Sequence, residues 1–165
     1  MQNRIVNVGE AELKDNGNGR SFQARIARLG PLIGSKELGC TLVVLAPGKR
    51  AWPHHRHHVN GELFFVLSGE GEIRLNDEKR PIRAGDLIAA PAGGEAHQIV
   101  NNSEGELRYL AISTLQGAEI LDYPDSGAVA YAAGIKDGNF KTATVLSHGR
   151  LEITDYFEGE EPPKG

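Results

Sequence analysis

Apolar residues recur along this chain in short runs rather than at helical spacing. CTLVVLA (40–46) is a continuous, β-branched-rich run closed by Pro47-Gly48, which reads as a buried strand. ELFFVLS (62–68) is a second run with strong β propensity. EIRL (72–75) alternates polar and apolar residues, and LIAAP (87–91), HQIV (97–100) and LRYLAIST (107–114) follow. Turn-forming clusters at 69–71, 76–79, 83–86, 91–94 and 101–106 separate them. Six strand candidates at regular spacing predict an all-β sandwich or barrel. A looser alternation over 21–29, broken by Gly30-Pro31, reads as a further strand.

Phase within 62–68 adds a constraint, because residues two apart on a strand share a face. Glu62, Phe64 and Val66 lie on one side; Leu63, Phe65 and Leu67 lie on the other. Both sides are largely apolar, so both are expected to be covered. One side faces a barrel interior. The other needs the chain's own termini or a second subunit, and a homodimer is expected.

The ends read differently. Residues 1–20 are polar and rich in Gly and Asn, a loop by composition. YPDSG (123–127) is a turn. KTATVLS (141–147) and LEITDYF (151–157) flank His148-Gly149 and predict a terminal hairpin with His148 in its turn. EGEEPPKG (158–165) reads as a frayed end. No three-turn helix, internal repeat or long linker is visible, so residues 1–165 read as one domain.

Composition supports this picture. Glycine contributes 21 of 165 residues and proline 8, as many reversals between short strands require. The net charge of −4 excludes the basic footprint of a nucleic-acid binder. No apolar run is long enough to span a bilayer, so no membrane role is expected. The first residues contain no apolar signal segment, which makes a soluble, cytoplasmic protein the expectation. The single cysteine, Cys40, reads as a small buried apolar residue.

Chemistry concentrates in the histidines. Four of the six lie in HHRHH (54–58). On an extended segment His55 and His57 share one face, while His54, Arg56 and His58 share the other. Glu62 follows five residues after His57, and His97 opens a later strand. Three imidazoles and a carboxylate suit Zn, Mn, Fe, Ni or Cu.

The spacing around these residues resembles the cupin superfamily. Gly48-x6-His55-x-His57-x4-Glu62-x6-Gly69 is similar to its first motif, and Gly85-x5-Pro91-x-Gly93-x3-His97-x3-Asn101 to its second. Each motif carries one extra residue in a gap, and Gly61 stands where many members have a second glutamate. The resemblance implies a cupin-type double-stranded β-helix, a jelly-roll barrel over about 40–114. An N-terminal extension (1–39) and a C-terminal extension (115–165) flank it. It further implies His55, His57, Glu62 and His97 as ligands of one divalent transition metal. Gly48, Gly69, Gly85 and Gly93 would occupy tight turns, and Pro91 the bend before His97. Asn101 reads equally as a turn former or as support behind the ligands.

The longer pattern, PHHRHHVNGELFFVLSGEGEIR (53–74), PAGGEAHQIVNNS (91–103) and LRYLAISTLQGAEILDYPDSG (107–127), is similar to small bacterial-type cupins, some of which carry a provisional sugar-phosphate isomerase name. A metal-dependent enzyme acting on a small polar substrate is therefore expected, with an isomerase as the first version. A dioxygenase using Fe, Ni or Cu and a non-enzymatic small-molecule binder are the alternatives. Lys49, Arg50 and Arg56 read as surface charge or as contacts to an anionic substrate. Trp52 reads as a pocket cap or a dimer contact. No residue stands out as a general base.

Overall fold

The computed structural model describes residues 4–160. Strands are numbered in chain order. The larger sheet runs β1 (Lys14–Gly17), β2 (Gln23–Arg28), β3 (Leu38–Leu45), β10 (Leu107–Thr114), β5 (Glu62–Ser68), β8 (Leu87–Ala90). A three-stranded sheet runs β7 (Glu78–Arg83), β6 (Glu70–Leu75), β9 (His97–Val100). A four-stranded sheet runs β13 (Val145–Gly149), β12 (Ala128–Ala133), β11 (Ala118–Tyr123), β4 (Arg56–His57). The two smaller sheets meet where His55 and His97 exchange backbone hydrogen bonds of 3.1 and 2.7 Å. The result is all-β, as the strand pattern predicts, and has the double-stranded β-helix jelly roll that the resemblance implies. Among the described residues the one α-helix, Gly30–Ile33, is a single turn.

The core lies between the sheets. Val43, Leu45, Phe64, Val66 and Tyr109 come from the larger sheet, and Ile73, Ile82 and Ile99 from the three-stranded one. Strand β3 is apolar on both faces because both are covered. Its Val43 and Leu45 enter this core. Leu42 and Val44 enter a second cluster, against which Val6, Val8, Ala11 and Leu13 pack from the N-terminal segment. Cys40 is half-buried beside that cluster.

The terminal segment thus covers β3 and not β5. Phe64 and Val66 are buried as phase predicts, but Leu63 remains 42% exposed and Phe65 37%. With Leu87 they leave an open apolar face, the one on which the homodimer expectation rests.

Three sequence expectations need correcting. The terminal hairpin does not form: β13 pairs with β12, and residues 151–155 are irregular. His148 lies inside β13 opposite Ala130, because the true hairpin is β11–β12, turned by YPDSG. Part of the presumed N-terminal loop, Lys14–Gly17, is strand β1, held by antiparallel pairing with β2. Glu158–Glu160 lie in a turn; the rest of the expected frayed end, 161–165, falls outside the described residues.

Besides β1, strands β7, β11 and β12 lie outside the predicted runs. β12 (AVAYAA) is alanine-rich and weak in β propensity. β7 (EKRPIR) is charged and contains Pro81, which it tolerates as an edge strand.

The motif glycines occupy left-handed turns, and Gly69 and Gly85 make a useful contrast. Gly69 has φ +82°, and a Cβ there would collide with the Glu106 carbonyl. Gly85 has φ +93° with open space around it. Gly85→Ala is expected to cost about 1–2 kcal/mol from backbone conformation alone. Gly69→Ala is expected to cost more, because the Glu106 segment must also shift. Urea unfolding midpoints check this; equal midpoints for the two variants would contradict the packing assigned to Gly69.

Candidate metal centre

Three short elements bring the histidines and the carboxylate together. The backbone exchange with His97 holds His55 against the start of β9. His57 lies on β4, opposite Leu121 of β11. Glu62 opens β5 and shares the inward phase of Phe64 and Val66. One ligand atom from each of His55, His57, Glu62 and His97 lies within 4.8 Å of the others. His57 Nε2 is 3.2 Å from His55 Nε2 and 3.3 Å from Glu62 Oε2; His97 Nε2 is 3.0 Å from that oxygen.

What lies behind the rings fixes how they present themselves. His55 Nδ1 is 2.7 Å from the Pro53 carbonyl, which can only accept, so this nitrogen carries the proton. His57 Nδ1–H donates to Glu119 Oε2 at 2.9 Å. With both Nδ1 protons committed, neutral rings would face each other through Nε2 lone pairs. Only a cation or an added proton between them relieves that contact. The donor set therefore fits a divalent ion, with imidazole and carboxylate ligands oriented by acceptors behind them. His97 is held differently. Its Nδ1 is buried without an acceptor, and its ring packs against Phe64 at 5.3 Å between centroids.

Without an ion, a proton takes that place. Burial works against charge on His57, but hydrogen bonds to Glu119 and Glu62 outweigh it and hold its pKa up at about 9. Burial pushes His55 down to about 4, and His97 and His57 add to that shift. Glu62 falls well below the usual carboxylate range, because hydrogen bonds from His57 and His97 outweigh its burial.

Glu119 is a site residue that sequence reasoning missed. It is 1% exposed, and burial alone would raise its pKa. Hydrogen bonds from His57, Asn60 and the Val59 backbone instead bring it down to about 2. The backbone N–H groups of Asn60 and Ile120 also donate to this carboxylate. Its signal was phase: Glu119, Leu121 and Tyr123 alternate along β11, so a glutamate stands where the strand is buried. That segment was not predicted to be a strand.

The other candidates separate cleanly. Arg56 and His58 point away and meet Asp122, at 2.8 and 2.6 Å. His54 is buried, 3.6 Å from Asp125. Asn101 is fully buried and donates to the Leu45 and Gly105 carbonyls, stitching a loop and touching none of the ligands. Lys49 donates to the Arg20 carbonyl, and Arg50 stacks over Phe22. Trp52 lines a cavity of about 320 Å³ that opens onto the four-residue cluster. Tyr123 and Phe140, from the C-terminal extension, also line it.

Two outcomes follow for the isolated protein. Glu119→Gln is expected to weaken Zn(II) binding by about 10–100-fold, measured by competition with a chromogenic chelator. Unchanged affinity would contradict the orienting role. At pH 7.5 His57 carries a proton that an ion must displace, since ligand imidazoles are neutral. Zn(II) binding is therefore expected to release about one proton, and to strengthen as pH rises from about 6.5 toward 9. Calorimetry in two buffers of different ionisation enthalpy measures this; no release would contradict the charge state assigned to His57.

Residues 41–113 match the family described as Cupin domain. The oxalate-binding protein of Thermotoga maritima is 36% identical over 61 residues, which are 37% of this chain and 50% of that protein. The chain spans about half the length of the curated relatives it matches. A structure from Acidithiobacillus ferrooxidans, provisionally named a sugar phosphate isomerase, aligns with TM-score 0.75 at 23% identity, over 91% of this chain and 96% of that one. A cupin-superfamily structure from Silicibacter pomeroyi, named a sugar phosphate isomerase, aligns with TM-score 0.74 at 22% identity, over 88% and 92%. At these identities the two structures establish the fold. Both motifs lie in order within the segment that matches the Cupin domain, residues 41–113, and that segment forms the barrel of the double-stranded β-helix.

Proposed function

We propose that this protein is a metal-dependent enzyme for a small, oxygen-rich molecule. It would hold one divalent transition ion through His55, His57, Glu62 and His97. The observation that carries this reading is the convergence of four ligand atoms within 4.8 Å at the floor of a cavity. The ion supplies Lewis-acid polarisation of a substrate carbonyl or hydroxyl oxygen. The chain's own contribution is orientation. Pro53 and Glu119 fix the tautomers of His55 and His57, and Glu62 brings negative charge to the centre. Phe64 and Tyr109 close the cavity against the core and keep water from that side.

The names of the relatives support small oxygen-donor ligands: one binds oxalate, and two are named for sugar phosphate isomerisation. Isomerisation is the version to assay first. Three histidines and a carboxylate also suit Fe, Ni or Cu, and with those ions an oxygen-consuming reaction is the second version.

Protein purified without a histidine tag and without chelator is expected to contain about one equivalent of a single transition metal. His55→Ala/His57→Ala is expected to lose it while keeping the wild-type circular dichroism spectrum. Elemental analysis reads both, and oxygen uptake against isomerase turnover then separates the two versions. A folded wild type that takes up no metal, even after reloading with each of the five ions, would overturn the reading.

A further inference from the structure

The cavity wall itself narrows the substrate. Among the described residues, no lysine or arginine lines it. The three basic residues near the first motif are committed elsewhere: Lys49 to the Arg20 carbonyl, Arg50 to the Phe22 ring, and Arg56 to both oxygens of Asp122. Gln98 is committed as well, since its amide donates to the Trp52 carbonyl. Apart from tyrosine hydroxyls, the ionisable groups in the wall among the described residues are the His/Glu cluster. The remaining wall is apolar and largely aromatic: Trp52, Phe64, Leu121, Tyr123 and Phe140. The Tyr123 ring lies 6.2 Å from that of His55 with an interplanar angle of 27°, so one flat wall runs down to the cluster. His148, the strand residue opposite Ala130, packs edge-on against Tyr123 at 5.2 Å and backs that wall from outside.

Outside the His/Glu cluster, a phosphate dianion entering this space would shed water and find no cation in the wall to replace it, which is costly. A flat, uncharged body would gain by burial against aromatic rings. We infer that the cavity takes a planar, unphosphorylated molecule that presents adjacent oxygen atoms to the cluster and an apolar ring to Tyr123, Phe140 and Trp52. The inference rests on the metal reading for the oxygen end alone; the apolar end stands on the wall.

Trp52 is the chain's only tryptophan, so its fluorescence reports occupancy of the cavity directly. The experiment titrates protein loaded with redox-inert Zn(II) with catechol, with p-cresol and with ribose 5-phosphate. Catechol is expected to bind at least about tenfold more tightly than ribose 5-phosphate. Tyr123→Ala and Phe140→Ala are each expected to weaken catechol by about fivefold or more while leaving zinc content unchanged. Ribose 5-phosphate binding as tightly as catechol, or both variants binding catechol like wild type, would overturn the inference. The p-cresol arm separates this result from the metal reading. If p-cresol and catechol bind equally, both ahead of ribose 5-phosphate, the wall selects as inferred and substrate contact with the ion is what fails. Zinc content, read on the same samples, tests the ion site itself.

Discussion

Everything distinctive about this site depends on two hydrogen bonds behind it. His55 gives its Nδ1 proton to the Pro53 carbonyl, and His57 gives its own to Glu119. Each bond turns an Nε2 lone pair toward the same point. Two lone pairs aimed at each other across 3.2 Å are repulsive by themselves, so the arrangement calls for a positive charge between them. Glu62 adds negative charge beside that point, and His97 completes the ring of donors. The fold supplies the rigidity. The backbone exchange between His55 and His97 joins the two smaller sheets at the place where the ligands meet, so the site is also a structural seam.

The barrel and its candidate ligands were legible because short-range rules decide them. Alternation, β-branched runs and Gly/Pro turns sufficed for β3, β5, β6, β8, β9 and β10. The parity of HHRHH separated His55 and His57 from Arg56 and His58, as the structure bears out. Less was legible where long-range pairing overrides local preference. Alanine-rich β12 is a strand because β11 and β13 flank it, and β7 because it has only one partner to satisfy around Pro81. His148-Gly149 looks like a turn, yet it extends a strand onto β12. The N-terminal segment covers β3, where a cover for β5 had been expected.

The same division runs through the site. The four candidate ligands lie in the barrel motifs, where spacing exposes them. Glu119, Tyr123 and Phe140 come from the C-terminal extension, beyond both barrel motifs. Their roles arise only when β11 folds back along β4 and sets Glu119 behind His57. The barrel thus brings the donors, while the extension sets Glu119 behind His57 and lines the cavity with Tyr123 and Phe140. A shared barrel with differing extensions is one physical route by which a single fold hosts many chemistries.

The central claim is that three imidazoles and one carboxylate converge on a single ion. X-ray absorption at the zinc edge of Zn(II)-loaded protein tests it most directly. The account predicts a first shell of nitrogen and oxygen at about 2.0–2.1 Å. It also predicts outer-shell imidazole scattering from three rings, falling to two in His97→Ala. A shell of oxygen alone, or imidazole scattering that His97→Ala leaves unchanged, would contradict it.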